Sequence, residues 1–124
     1  KISGRVVYTD RLAPLSEEFG NNILELLKKN SDLDGIFATS DVMAANIIRA
    51  CKKMGKRVPE DISIVGFDDT WISTLTYPSI TTIHQPVREM CEYAIEAIVK
   101  KVKSEKVPSQ VVFPVELIDR ESTK

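Results

Sequence analysis

Few of the residues that usually carry catalysis are present. The chain holds two cysteines, one histidine and one tryptophan in 124 residues. Cys51 and Cys91 stand apart with no metal-ligand spacing, and both fall in helical patterns. They read as reduced core cysteines rather than a disulfide or metal pair. There is no G-x-S-x-G elbow, no G-x-G-x-x-G and no G-x-x-x-x-G-K, so the signatures of serine hydrolases, dinucleotide enzymes and P-loop proteins are missing. No enzymatic activity, cofactor or metal is expected. No apolar run approaches the roughly 18 residues of a membrane span. A basic excess is also missing: 17 basic against 18 acidic residues leave a formal net charge of −1. Phosphate contact is mostly charge neutralisation, so this stretch is not expected to bind DNA or RNA itself. The chain opens Lys1-Ile2-Ser3 with neither Met nor an apolar leader. That start suits a mature exported protein or a piece of a longer one.

What is present alternates between two periods. Val6-Val7-Tyr8 reads as a strand. Ser16 is a good N-cap for a helix with Phe19, Ile23, Leu26 and Leu27 on one face. Gly35 to Thr39 reads as a second strand. A second helix follows with Met43, Ile47, Cys51 and Met54 on one face, ended by Gly55 in the place of a left-handed C-cap. Ile62 to Gly66 is a third strand, from which Phe67-Asp68-Asp69 emerge. Strand and helix alternating at these spacings point to parallel βαβ units, and thus to an α/β fold. Beyond Asp69 the pattern loosens into a helical turn within Trp71 to Thr76 and a short extended Thr81-Thr82-Ile83. Pro86 opens a long helix with Val87, Cys91, Ala94, Ile95, Ile98 and Val102 on its apolar face. Two short strands, Val111 to Phe113 and Val115 to Ile118, flank Pro114, which cannot donate to a ladder.

In open parallel sheets, ligands bind beyond the carboxyl ends of the strands. The residues delivered there are Thr9, Asp10 and Arg11; Thr39, Ser40 and Asp41; Phe67, Asp68 and Asp69; and His84 with Gln85. Three readings fit so polar a set. Carboxylate and amide groups can bind the hydroxyls of a sugar or polyol. Three acids at neighbouring strand ends can hold a magnesium ion, as in a receiver domain. Or each Asp caps a helix or turn. The receiver reading is weak, because the acidic pair follows the third strand and no Lys falls in Val111 to Phe113 or Thr81 to Ile83. Asp41 directly precedes a helix and suits a cap as well as a ligand. No long helix follows Asp68, which favours a ligand role there. His84 reads as a plain polar residue. Trp71 could stack on a sugar, fill a core gap or make an oligomer contact.

Four ordered stretches then resemble one family. They are Asp34 to Ala44 (DGIFATSDVMA), Val58 to Asp69 (VPEDISIVGFDD), Pro78 to Pro86 (PSITTIHQP) and Arg120-Glu121-Ser122. Together they resemble the lactose-repressor/galactose-repressor type of bacterial transcription regulator, from end to end of the chain. The resemblance implies a cytoplasmic homodimer of the periplasmic-binding-protein fold. Two α/β lobes clamp a small effector, often a sugar, and DNA is met only through an N-terminal helix-turn-helix that has no counterpart here. The chain would be a parallel-sheet lobe, incomplete: residues 1–84 in the C-terminal lobe, 85–113 in the N-terminal lobe, 114–124 returning. By position, Asp68 matches the effector-binding carboxylate and Gln85 the crossover glutamine. Ser40 stands where many members bond the ligand through asparagine, and Leu15 where some place an aromatic. Ala45 and Tyr77 fall in dimer-contact regions. A transport protein of the same fold is the alternative, and neither reading is an enzyme.

Overall fold

The computed structural model describes residues 17–124. The expected first strand at Val6 to Tyr8, the Ser16 cap, the strand-end residues Thr9, Asp10 and Arg11, and the ligand candidate Leu15 lie outside the described residues.

Among the described residues eight elements follow in order: α1 Glu17–Lys29, β1 Gly35–Phe37, α2 Asp41–Lys53, β2 Ser63–Asp68, α3 Ile72–Leu75, β3 Thr81–His84, α4 Val87–Val102 and β4 Glu116–Ile118. The four strands form one sheet in the order β1-β2-β3-β4. β1, β2 and β3 run parallel, while β4 joins β3 antiparallel. The expected α/β class and its parallel core are borne out, with the returning strand as an antiparallel edge.

The α2 helix shows why the local sequence folds as it does. The Ser40 hydroxyl accepts the Met43 N–H at 3.2 Å, satisfying one of the donors that a helix start leaves open. At the other end Gly55 takes φ +71°, its N–H reaches the Lys52 carbonyl, and the Lys56 N–H reaches that of Cys51. This pair of bonds is a Schellman closure, and glycine adopts its left-handed turn at least cost. Between the ends, Ala44, Ile47, Ile48 and Cys51 are buried against Ile23 and Leu27 of α1 and against Ile62, Ile64 and Ile80. Burial pushes the Cys51 thiol up, so it stays protonated in the core.

In-register partners point to one side of a sheet. Ile36, Ile64, Gly66 and Thr82 therefore share the α2 side, and Phe37, Val65, Phe67 and Ile83 the opposite one. On that opposite side the Phe37 and Phe67 rings meet edge-on at 6.3 Å. Gly66 has a specific reason on the α2 side. A Cβ there would overlap the Asp41 carboxyl and lie 3.0 Å from the Ile80 side chain. The closing stretch fixes the opposite end of the strands: the Ser122 hydroxyl donates to the Ile64 carbonyl at 2.5 Å and accepts the Thr81 N–H at 2.9 Å.

Three expectations change. Val111 to Phe113 forms no strand; Phe113 instead sets its ring 5.9 Å from that of Tyr93. Pro86 occupies the N-cap of α4 rather than its first turn. Cys91 is exposed rather than in a core, because no residue of α4 is buried. Ile95 and Ile98 are 63% and 64% exposed, so the apolar face of α4 finds no cover among the described residues.

Two outcomes follow. Gly66→Ala should destabilise the full-length protein by about 1–3 kcal/mol, the range for overpacking. Gly20→Ala, in α1 with nothing within 4 Å of its new Cβ, should stabilise slightly. Thermal unfolding of both checks the pair, and equal shifts would contradict the packing at Gly66. The 124-residue chain on its own should self-associate through α4. Light scattering that gives a monomer would contradict this.

Candidate functional site

The acidic pair sits at the carboxyl end of β2, Asp68 closing the strand and Asp69 opening the connection to α3, beside the segment where β3 passes into α4. Asp68 is the last residue of β2, two positions further along than the sequence suggests, and is paired with His84 across the ladder. Its backbone has φ 96°, and that of Asp69 has φ 52°. Both lie in the left-handed region, which costs a non-glycine residue on the order of 1–3 kcal/mol. Surrounding bonds must hold them there.

Those bonds come from three directions. On the α2 side, fully buried Asp41 accepts the Thr70 N–H at 2.6 Å, the Thr70 hydroxyl at 3.0 Å and the Thr82 hydroxyl at 2.5 Å. Asp41 is thus structural, but it is not the helix cap: Ser40 caps α2, while Asp41 reaches across to β3 and to the loop. From the segment after β4, Arg120 donates to one Asp69 oxygen at 2.7 Å. Arg120 also reaches the Ser73 hydroxyl at 3.1 Å and the Ile80 carbonyl at 2.9 Å. From the end of β3, the His84 Nδ1 lies 3.0 Å from the other Asp69 oxygen. His84 therefore has a defined partner and is more than a plain polar residue.

Asp68 is held differently. Its carboxyl accepts the Gln85 side-chain amide at 2.8 Å and remains part-buried. The two residues that the family pattern singles out, from segments 17 positions apart, thus meet directly. Such a pair offers a carboxylate and an amide side by side, the groups that recognise adjacent hydroxyls. Ser40 sits at the neighbouring strand end, its oxygen engaged in the cap. Trp71 is 73% exposed at the head of α3, which removes the core-filling reading for it. Tyr77 is exposed, and Ala45 packs partly against the core. Among the described residues no three His, Cys, Asp or Glu side chains converge as a metal site.

Reading the residues one by one missed Arg120 and the threonines at 70 and 82. Arg120 was visible only as part of a motif, and its partner Asp69 lies 51 residues earlier. No local period carries so distant a pairing.

The pattern of the periplasmic binding protein-like domain matches residues 6–123. The chain belongs to this family. A regulator of the helix-turn-helix type, MalR of Clostridium butyricum, is 42% identical over 101 residues, covering 82% of this chain and 30% of its own length. Among solved structures, the regulator CelR in complex with cellobiose superposes with a TM-score of 0.78 at 33% identity, covering 83% of this chain and 32% of that one. The lac repressor dimer bound to operator and an anti-inducer gives a TM-score of 0.79 at 29% identity, over 87% and 38%. The resemblance to the lactose-repressor/galactose-repressor type, expected from the four motifs, is borne out. The chain spans about 30% of the length of the curated relatives it matches. No described helix is long and apolar enough to cross a membrane.

The ion pairs around Asp69 have a pH signature. Partial burial opposes its charge, but the bonds from Arg120 and His84 outweigh that and hold its carboxyl below the usual carboxylate range. A depressed folded-state value means stability that is complete above the unfolded value, near pH 4. It is lost as pH falls through the lower folded value. Asp69→Asn should therefore flatten the acid limb of stability relative to wild type. Urea unfolding from neutral pH downward checks this, and identical pH slopes would refute it.

Proposed function

We propose that this chain is the effector-binding and dimerisation part of a bacterial transcription regulator that responds to a sugar. The observation that carries the reading is the Asp68–Gln85 contact at the β2 end, in a family whose similar members include a cellobiose-bound regulator. Asp68 accepts hydrogen bonds from sugar hydroxyls, and Gln85 both donates to and orients it. Ser40 adds its hydroxyl from the neighbouring strand end, and Leu15 contributes an apolar contact to the sugar face. Residues 1–84 form part of one lobe, 85–113 belong to the other, and 114–124 return. Ala45 and Tyr77 lie in the homodimer interface. The protein is not an enzyme, works in the cytoplasm, and meets DNA through a separate helix-turn-helix head.

Effector binding would favour one arrangement of the lobes and so shift the population of DNA-competent dimers. The similarity to named regulators favours this reading over solute transport.

Screening a sugar panel by thermal shift identifies the effector, because a ligand of the folded state raises apparent stability. Asp68→Ala should then lower affinity for that sugar by about 2 kcal/mol or more, some thirtyfold, as for a lost charged partner. Calorimetry giving equal affinity for wild type and variant would remove Asp68 from the site.

A further inference from the structure

We infer that Asp69 is a positioning residue for the effector carboxylate, tying Asp68 to both chain segments that flank α4. The inference rests on the proposed role of Asp68 and adds what holds that group in place.

Asp68 and Asp69 are consecutive, and both adopt left-handed backbone. One such residue is a local accommodation; two in a row need outside support. Asp68 supplies little of it, since among the described residues its carboxyl receives one neutral amide, that of Gln85. Asp69 supplies more of it, while Asp41 holds Thr70 on the far side of the pair. One Asp69 oxygen takes Arg120 and the other takes His84, with both acid and guanidinium side chains only 18% exposed. Charge-assisted bonds of this kind are about twice as strong as neutral ones. Arg120 is itself fixed by the Ser73 hydroxyl and the Ile80 carbonyl, so it cannot follow Asp69 if the turn relaxes.

The two partners of Asp69 come from particular places. His84 ends β3 and is followed directly by Gln85 and α4. Arg120 comes two residues after β4, the first strand beyond α4. The β3 and β4 strands are themselves paired, with His84 opposite Glu116. One carboxylate thus clamps the exit toward α4 and the return from it, while the adjacent residue presents the ligand group. A change in the spacing of those two segments moves Asp69, and through the shared peptide it moves Asp68. The converse also holds: a ligand that holds Asp68 in one orientation favours one spacing of the two segments.

The test uses the full-length protein and two readouts. The first needs no ligand: the side-chain amide signals of Gln85 by NMR, which report its bond to Asp68. Asp69→Asn should shift these signals and speed their hydrogen exchange while the backbone spectrum away from the loop stays native. His84→Ala, at a half-exposed position, should do the same, and His84→Gln should restore the wild-type signals. If Asp69→Asn does not fold, the His84 pair carries the readout. The second readout is affinity for cellobiose, lactose and D-xylulose, which should fall about tenfold in Asp69→Asn for whichever sugar binds wild type, the size of one coupled contact. Unchanged Gln85 signals in the folded variants would overturn the inference, and so would unchanged affinity. Altered signals with none of the three sugars binding wild type would uphold the positioning and count against sugar as the effector class.

Discussion

The Asp41 carboxyl is the contact on which the site depends. It starts α2, lies over Gly66 of β2, takes the hydroxyl of Thr82 in β3, and binds the Thr70 backbone beyond the acidic pair. A buried polar group contributes little net stability even when satisfied, yet leaving its partners unpaired is expensive. Its effect is therefore on uniqueness. Slipping β3 by one residue would turn Thr82 to the other face and take its hydroxyl from one Asp41 oxygen while Thr70 holds the other, so register and loop position are coupled through this carboxyl. The same contact explains a glycine in the middle of a central strand, where no side chain fits beneath the acid.

The α/β class, the helices and the parallel strands were legible because they rest on local periods. Ile23 and Leu27 on α1, and Ile47 and Cys51 on α2, face the core as their spacing requires. Gly55 ends its helix for the reason that makes glycine common there. The end of α4 was less legible. Its apolar stripe promises a buried helix, but a stripe records what the sequence can bury and not whether a partner is at hand. Cys91 shares that face and is exposed with it.

The site was legible in outline and obscure in its wiring. The rule that ligands bind past parallel strand ends led to Asp68 and Gln85, and the structure brings these two into contact. It could not assign Asp41, because a residue beside a helix start looks like a cap when its real partners lie 29 and 41 positions away. Nor could it assign Arg120 and Ser122, which act on residues far back in the chain. Such pairings depend on the closure of the sheet, and no window of sequence contains both members.

The acidic pair divides its labour by the company each member keeps. Asp69 has two strong donors, so its charge is compensated within the protein and leaves little for a ligand. Asp68 has one neutral amide among the described residues, so it still has acceptor capacity to offer. Two adjacent carboxylates with the same intrinsic chemistry thus become a fixed anchor and an open acceptor. The uphill backbone between them follows from that division. An extended chain would send the two side chains to opposite faces of the sheet, whereas the left-handed turn is held with one acid on Arg120 and the other on Gln85. Strain that the anchor's bonds support is what keeps the acceptor beside the segment leading into α4.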